Sequence, residues 1–259
     1  MGSAQLQGSL WGQGAREWAN STEHTAVPAY EAAFNAMGLG SGSTLLDAGC
    51  GSGLALVLAQ ARGATPVGLD ASAGLLAIAR ERLPEVDLHE GEIEELPFDD
   101  FSFDAVSAFN SVQFAADPRV ALLELIRVAK PGAPVAVVIW GPPENCEMCA
   151  VFAALAKVAP PPPGAPGPFT LSAPGVFESL LDSAGLVAES DTLVETPFVF
   201  ADLESAVRGL TSTGPGLRAA ELAGADVLSD VLTEAFGGFA TAGTGPRLEN
   251  VFRLILLRA

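Results

Sequence analysis

The feature that most constrains the fold of this chain is an apolar run that ends in an acidic residue and leads into three alternating glycines. Residues 45–53 read LLDAGCGSG, and a helix-like apolar run starts at Leu54. Because glycine has no Cβ, a backbone with Gly49, Gly51 and Gly53 can turn tightly and lie against a ligand. The following helix would point its free N–H groups and positive dipole end at that ligand. The pattern predicts a strand, a binding loop and a helix in succession.

A second apolar run, residues 65–69, ends in Asp70. An acidic residue at the tip of a second parallel strand is placed to accept hydrogen bonds from ribose hydroxyls. Together the two segments predict a site for a nucleoside-containing cofactor. The dinucleotide fingerprint has glycine where Leu54 stands, which disfavours a nicotinamide dehydrogenase.

Strand-like and helix-like segments alternate through the first half of the chain. Predicted helices cover residues 54–62, 72–83 and 118–129, and predicted strands cover residues 44–48, 65–69, 86–89, 103–108 and 135–140. The last of these strands is apolar throughout, as expected for a strand buried on both faces. Such repetition is typical of an α/β protein with a doubly wound parallel sheet.

The second half has a different organisation. Residues 142–168 are rich in proline, and the prolines at 160–163 exclude helix and central strand there. A helix over 172–184 and strands over 186–196 and 247–257 are predicted to complete the sheet, with a helical cap insertion at about 202–240. The predicted division is an N-terminal helical lid (1–40), a cofactor-binding core (41–141) and the rest of the sheet with its insertions (142–259).

Composition argues against several classes of function. The net charge is −18, with only 13 Lys and Arg residues, which opposes binding to nucleic acid. No apolar run reaches the roughly 18 residues of a membrane span, and residues 1–5 lack the regions of a secretory signal. Three cysteines give no even disulfide framework, which favours a reducing, cytoplasmic location. Cys146 and Cys149 have C-x-x-C spacing, but neither histidine stands where it would complete a metal site, so we expect no metal.

Further motifs follow the glycine loop in the sequence. They are GEI at 91–93, LPF at 96–98, FDAV at 103–106 and VAKPG at 128–132. With the glycine loop and Asp70, they resemble the class I S-adenosylmethionine-dependent methyltransferases of the ubiquinone/menaquinone-biosynthesis group. The resemblance covers residues 44–140. It implies S-adenosyl-L-methionine as cofactor and a Rossmann-like, seven-stranded doubly wound sheet whose last strand is antiparallel.

The resemblance also implies which residues hold the methionine end of the cofactor. Gly49, Gly51 and Gly53 would let the backbone approach the methionine and ribose portions. Asp47 is expected near the methionine amino group, where a carboxylate meets a cation; the alternative is a residue that caps the turn. Asn110 would face the methionine end, or else serve only as a turn residue.

The same resemblance implies contacts to the nucleoside end. Asp70 would accept hydrogen bonds from both ribose hydroxyls, and Ala71 and Ser72 would line the adenine. Glu92 and Ile93 match the adenine position, where an acidic side chain can accept from the exocyclic amine. Many relatives have aspartate at the position of Glu92, so main-chain contact is an alternative there.

No general base is obvious for an acceptor that must lose a proton. His24 is the better candidate, because residues 11–36 are expected to fold over the cofactor as a lid and histidine titrates near pH about 6.5. A structural or surface role is the alternative for His24, and His89 is expected to be structural. Orientation alone can supply much of the rate enhancement of a methyl transfer.

The predicted lid and the ends of two strands are rich in aromatic side chains. The functional interpretation is a desolvated acceptor pocket, and the alternative is that the rings simply fix the lid. We expect methyl transfer to O, N or C of a small, apolar metabolite. A cyclase or a non-catalytic binding protein on the same fold remain alternatives. The aromatic residues in question are Trp11, Trp18, Tyr30, Phe109, Phe114 and Trp140.

Overall fold

The computed structural model of the protein describes residues 4–161, 167–241 and 244–259. Residues 1–3 and the prolines at 162 and 163, which entered the sequence predictions, lie outside the described residues. The strands are β1 (Thr44–Ala48), β2 (Thr65–Asp70), β3 (Asp87–Glu90), β4 (Ala105–Phe109), β5 (Pro134–Trp140), β6 (Ser190–Glu195), β7 (Phe198–Val199), β8 (Arg247–Leu248) and β9 (Val251–Arg258). The α-helices are α1 (Ala4–Gln13), α2 (Ala15–Ser21), α3 (Val27–Met37), α4 (Leu54–Ala61), α5 (Ala73–Arg82), α6 (Pro118–Val128), α7 (Met148–Val158), α8 (Val176–Ala184), α9 (Leu203–Thr211), α10 (Gly214–Ala223) and α11 (Ala225–Gly237).

Seven strands form one sheet in the order β3-β2-β1-β4-β5-β9-β6. The strands from β3 to β5 pair in parallel, whereas β9 pairs antiparallel with both β5 and β6. This arrangement confirms the predicted Rossmann-like α/β fold with its antiparallel last strand. The chain order reverses between β1 and β4, which is the position where open α/β sheets bind ligands at their carboxyl ends.

Both faces of the sheet are covered, and the central strands show it residue by residue. Leu45 and Leu46 are both fully buried, yet they belong to different apolar clusters because successive side chains of a strand point to opposite faces. All seven residues of β5 are buried in the same alternating way. Helices α3 and α4 cover one face, and α6 and α8 cover the other.

The predicted strand over 247–257 is broken in the structure. Its first two residues form β8, which pairs with β7, and β9 begins only at Val251. Buried Asn250 explains the break: its Oδ1 accepts the N–H of Met148 at 3.0 Å, and its Nδ2 donates to the Leu248 carbonyl at 3.2 Å. An Asn side chain that satisfies backbone groups in this way replaces ladder hydrogen bonds.

Two other boundaries differ for local reasons. The helix predicted from residue 172 starts at Val176, because Ser172 lies in a 3-10 turn and its hydroxyl donates to the Trp140 carbonyl instead of capping the helix. The strand predicted from residue 186 starts at Ser190, because the N–H of Leu186 donates to the Leu181 carbonyl and closes the end of α8.

The N-terminal helices have two different environments. Helices α1 and α2 contact α5, α9 and α10, over the carboxyl end of the sheet, whereas α3 packs directly against β4, β5 and β9. Residues of α3 therefore belong to the main core, and only α1 and α2 have the position expected of a lid. The predicted cap insertion consists of α9, α10 and α11, and α11 packs against α7. Among the described helices, none has both the length and the apolar character needed to cross a membrane.

Candidate functional site

A cavity of about 260 Å³ opens at the carboxyl ends of β1, β2, β4 and β5. Its first wall is the glycine loop after β1. The N–H groups of Gly49 and Cys50 donate to the Leu69 carbonyl at 2.7 and 2.9 Å, so the loop is tied to the end of β2. Gly49 has φ 87°, and a Cβ there would lie 2.3 Å from Ser111 Cβ, so a larger residue would collide. The glycine is required both by its backbone angle and by this close approach.

Asp70 stands beside this loop at the end of β2. Its Oδ2 accepts the N–H of Gly51 at 2.8 Å, and its Oδ1 accepts the N–H of Ser72 at 2.8 Å. Burial raises the pKa of Asp70, and these amide hydrogen bonds oppose that rise. Because a carboxylate has about four acceptor sites, Asp70 keeps acceptor capacity for a ligand beside the amides of Gly51, Ala71 and Ser72.

Asp47 is the most deeply buried charged group of the cavity wall. Its side chain accepts a hydrogen bond from Ser107 Oγ at 2.8 Å, and the residue is 1% exposed. Burial raises the pKa of Asp47 to about 7, opposed by the Ser107 hydrogen bond and reinforced by the charges of Asp70 and Glu23. A cation placed at this carboxylate would stabilise its ionised form.

The segment after β4 closes the wall opposite the glycine loop. Asn110 has φ 50°, a left-handed conformation that Asn adopts more readily than most residues, and its N–H donates to the Val138 carbonyl at 2.8 Å. Gln113 Nε2 donates to Asn110 Oδ1 at 3.3 Å. Gln113 Oε1 is buried and has no hydrogen-bond partner among the described residues.

Helix α1 covers the Asp70 end of the cavity. A Cβ at Gly8 would lie 2.2 Å from the Ala71 carbonyl oxygen, so glycine allows α1 to approach the chain at this point. The Trp11 ring packs edge-on against Trp18 and Phe114, with centroids 5.2 and 6.0 Å apart. Helix α1 thus lies against the cavity wall through small-residue contact and aromatic packing.

A buried ion pair joins this N-terminal segment to the glycine loop. Glu23, in the 3-10 turn before α3, is 3% exposed, and its Oε2 accepts from Arg82 Nη1 at 2.6 Å. Its Oε1 accepts the N–H of Leu54 at 3.3 Å, at the start of α4. The same Arg82 nitrogen donates to the Ser52 carbonyl at 2.9 Å. Glu23 therefore stabilises both the position of the N-terminal segment over the cavity and the start of α4.

The other end of the cavity is aromatic. The Trp140 ring has its centroid 4.9 Å from that of Phe252 and 5.7 Å from that of Phe152. The Tyr30 ring packs edge-on against Phe109 at 4.6 Å. This aromatic end is lined by Tyr30, Phe109, Trp140, Phe152, Phe198, Phe200, Phe236 and Phe252.

The charges on the wall have one sign. The charged side chains that line the cavity are the carboxylates of Glu23, Asp47, Asp70 and Glu92. Within the described ranges no Lys, Arg or His lines it, and residues 1–3, 162–166 and 242–243 contain none of these residue types. A strongly anionic molecule would therefore find no cationic side chain in the cavity.

The structure brings most of the predicted cofactor residues to this one wall. Gly53 and Ser72 instead lie behind it: Gly53 caps α4, and Ser72 caps α5 through a hydrogen bond from the N–H of Leu75 to Ser72 Oγ at 3.3 Å. The predicted residues that line the cavity are Asp47, Gly49, Gly51, Asp70, Ala71, Glu92, Ile93 and Asn110.

His24 is not part of the cavity wall. Its side chain is exposed on the other side of the turn that carries Glu23, and its Nε2 lies 3.4 Å from the Val199 carbonyl oxygen. In this 3-10 turn neighbouring residues point in different directions, so the lid places Glu23 and Thr25 at the cavity and His24 outside it. The structure gives no support to the general-base role predicted for His24.

His89 and the cysteine pair also lie away from the wall. The His89 ring packs edge-on against Phe98 at 4.9 Å. Cys146 is buried next to the Val251 carbonyl, and burial raises the pKa of the Cys149 thiol to about 11. Among the described residues there is no group of three or more His, Cys, Asp or Glu side chains arranged to hold a metal ion.

Sequence reasoning missed several residues of the site. The residue predicted in the lid is His24 and not its neighbour Glu23, although the sequence shows an acidic residue next to the start of a predicted lid helix. Gln113 had no recognisable signal beyond its position after a strand. The phenylalanines at 198, 200, 236 and 252 reach the cavity from separate segments, and no local pattern connects them.

Comparisons with known proteins agree with this geometry. Residues 46–137 match the family described as a methyltransferase domain. The chain is 35% identical over 109 residues to the demethylmenaquinone methyltransferase of Renibacterium salmoninarum, covering 42% of this chain and 46% of that protein. It is 41% identical over 117 residues to the 2-phytyl-1,4-naphtoquinone methyltransferase of Nostoc punctiforme, covering 42% and 51%. The chain thus spans about half the length of these relatives.

The fold is shared over nearly the whole chain. The crystal structure of the cyclase SpnF superposes with a TM-score of 0.63 at 20% identity, covering 99% of this chain and 96% of that one. Fold and cavity define a Rossmann-like α/β domain that resembles the class I S-adenosylmethionine-dependent methyltransferases. Within this domain, residues 46–137 match a methyltransferase domain and are similar to the menaquinone and naphthoquinone methyltransferases named above.

Proposed function

We propose that this protein transfers a methyl group from S-adenosyl-L-methionine to O, N or C of a small, apolar metabolite. The observation that carries the proposal is a single cavity with two chemically different ends. One end has a glycine loop, two buried carboxylates and strand-end amides, and the other is lined by aromatic rings. The two ends suit a cationic nucleoside cofactor and an apolar acceptor held side by side.

The residues of the first end fit the cofactor. Asp47 would face the methionine ammonium group, and the free lone pairs of Asp70 would accept from the ribose hydroxyls. Ala71, Glu92 and Ile93 would line the adenine. Gly53 and Ser72 would act indirectly, by starting the helices whose first turns hold the glycine loop and Asp70 in place.

When bound, S-adenosylmethionine supplies an electrophilic methyl group, which bonds to the acceptor nucleophile while the methyl–sulfur electron pair stays on sulfur. The chain itself would orient the two molecules and exclude water. Closure by α1 and α2, held by the Glu23–Arg82 ion pair, would serve both tasks. Well-oriented reactants gain roughly 7–11 kcal/mol of the barrier in this way.

The surface charge and composition support a coarse view of the protein's partners. A net charge of −18 and a cavity wall without cationic side chains favour small molecules over nucleic acid. Three cysteines, all free in the structure, favour a cytoplasmic location.

The proposal is tested by product mass. The purified protein is incubated with S-adenosylmethionine carrying a labelled methyl group and an organic-solvent extract of small metabolites, with Asp70→Ala as the matched control. The expected result is a labelled product and S-adenosylhomocysteine, both absent with the variant. A new product without the label would favour the cyclase alternative, and cofactor binding with no product would favour a binding protein.

A further inference from the structure

Tyr30 is the only tyrosine of the chain and lies where the two ends of the cavity meet. It belongs to α3, which packs against β4, β5 and β9. Its ring is held edge-on against Phe109, which in turn packs against Phe34 at 5.9 Å. The Tyr30 side chain is therefore fixed by the core and does not depend on the position of the lid.

The Tyr30 hydroxyl differs from the other polar groups of the aromatic end. Thr25 Oγ1 donates to the Thr22 carbonyl, and Thr213 Oγ1 donates to the Leu210 carbonyl, both at 2.7 Å. The Glu23 carboxylate already accepts hydrogen bonds from Arg82 Nη1 and from the N–H of Leu54. No hydrogen bond engages the Tyr30 hydroxyl in the parts of the chain that the structure describes. The hydroxyl opens onto the cavity, and a hydroxyl among apolar rings gains free energy when a ligand there supplies a hydrogen-bond partner.

The charges near Tyr30 decide which form of the hydroxyl is present. Burial and the carboxylates of Glu23 and Asp47 raise the pKa of Tyr30 well above its ordinary value. The hydroxyl therefore stays protonated at neutral pH and is a hydrogen-bond donor, not a base. A neutral oxygen on a ligand is the partner that suits this donor. A carboxylate or phosphate would meet the carboxylate of Asp47, and the described cavity wall offers it no cationic side chain.

We propose that Tyr30 contacts the acceptor directly: its hydroxyl donates a hydrogen bond to a neutral hydroxyl or carbonyl oxygen of an otherwise apolar acceptor. This inference rests on the proposed function, because it places the acceptor in the aromatic end. The hydrogen bond fixes the orientation of the acceptor and so determines which of its atoms faces the cofactor end. Tyr30 is thus a specificity-determining residue, and the aromatic rings around it supply most of the contact area.

The test uses three small probes that share one flat apolar skeleton: 2-naphthol, naphthalene and 2-naphthoate. They carry a neutral oxygen, no oxygen and an anionic group. Binding is measured by calorimetry on the full chain saturated with S-adenosylhomocysteine. The variant is Tyr30→Phe, which keeps the ring. Thr25→Val is the matched control, because it removes a cavity hydroxyl that is already bonded within the chain.

The wild-type protein is expected to bind 2-naphthol about tenfold more tightly than naphthalene, the size of effect of one neutral hydrogen bond, and 2-naphthoate most weakly. Tyr30→Phe should bring 2-naphthol and naphthalene to similar affinities, whereas Thr25→Val should keep the difference. Unchanged discrimination in Tyr30→Phe, tight binding of 2-naphthoate, or no binding of 2-naphthol would each overturn the inference.

A separate titration with S-adenosylmethionine distinguishes this failure from failure of the proposed function. Cofactor affinity should be equal within about twofold in the wild type and Tyr30→Phe, since no cofactor contact is assigned to the hydroxyl. If the wild type binds no cofactor, the proposed function itself fails. If the cofactor binds and the probes do not discriminate, only the role of Tyr30 is wrong.

Discussion

The two ends of the cavity are constructed in opposite ways. The cofactor-facing end is made by four short segments, 47–51, 70–71, 91–93 and 110–113, each at or directly after the end of a parallel strand. The aromatic end is made by side chains from α3, β4, β5, α7, β7 and the residue after it, α11 and β9, most of which are distant in sequence. The first end satisfies polar groups by backbone hydrogen bonds, and the second is held by packing. The chemistry that binds a cofactor can thus be concentrated in local motifs, whereas the shape of the acceptor site depends on the whole fold.

The largest expected effect concerns stability at the aromatic end. Trp140 packs against Phe152, Phe169, Phe198 and Phe252. Trp140→Ala should lower the free energy of unfolding by about 2–4 kcal/mol, below the range for a fully packed ring because one side of Trp140 faces the cavity. Denaturant unfolding measures this change. A loss under about 1 kcal/mol would contradict the view that packing holds this end together.

The next effect concerns affinity at the cofactor end. Asp70→Ala should weaken binding of S-adenosylmethionine by about 10- to 100-fold, because it removes a charged acceptor and frees the amides of Gly51 and Ser72. Calorimetry measures the affinity. The aromatic end should be unaffected, so 2-naphthol binding serves as an internal control. An unchanged cofactor affinity would refute the assignment of Asp70 to the ribose.

More of the fold than of the candidate site could be predicted from the sequence. The strands of residues 44–140 follow from apolar runs of the right length, and Asp70 and the glycines follow from the chemistry of a bound nucleoside. Phe198, Phe236 and Phe252 had no such signal, because their common feature is a location that only tertiary packing creates. His24 lies outside the cavity for the related reason that one residue of register in a short turn decides which side chain enters it.

Protonation of Asp47 makes the stability of the protein depend on pH. Its pKa is raised to about 7 in the folded protein, above the ordinary value of 3.8, so the unfolded state ionises first. This group therefore contributes most to the stability of the ligand-free protein below about pH 4, and the contribution is lost as the pH rises from 4 to 7. Asp47→Asn should remove that decline and raise the melting temperature at pH 7.

The same variant should weaken cofactor binding. In the wild type, affinity for S-adenosylmethionine should rise from pH 6 to pH 8 as Asp47 ionises opposite the methionine ammonium group. Asp47→Asn should lower the affinity at pH 8 by about tenfold and flatten this pH dependence. Calorimetry at three pH values measures both effects. A pH-independent affinity in the wild type would count against an ammonium partner for Asp47.

The smallest effect is expected at His24. Because its side chain is exposed and outside the cavity, His24→Ala should change stability by less than about 0.5 kcal/mol and turnover by less than about twofold. Steady-state kinetics with the acceptor found by product mass gives the comparison. A large loss of turnover with normal cofactor affinity would restore the general-base role and require the lid to rearrange.

The central claim is that the cofactor end binds S-adenosylmethionine, and calorimetric titration of the purified protein tests it most directly, with NAD titrated in parallel. Saturable binding of S-adenosylmethionine and no binding of NAD are expected. Binding of NAD, or of neither molecule, would contradict the interpretation of residues 47–70 and the proposed function that depends on it.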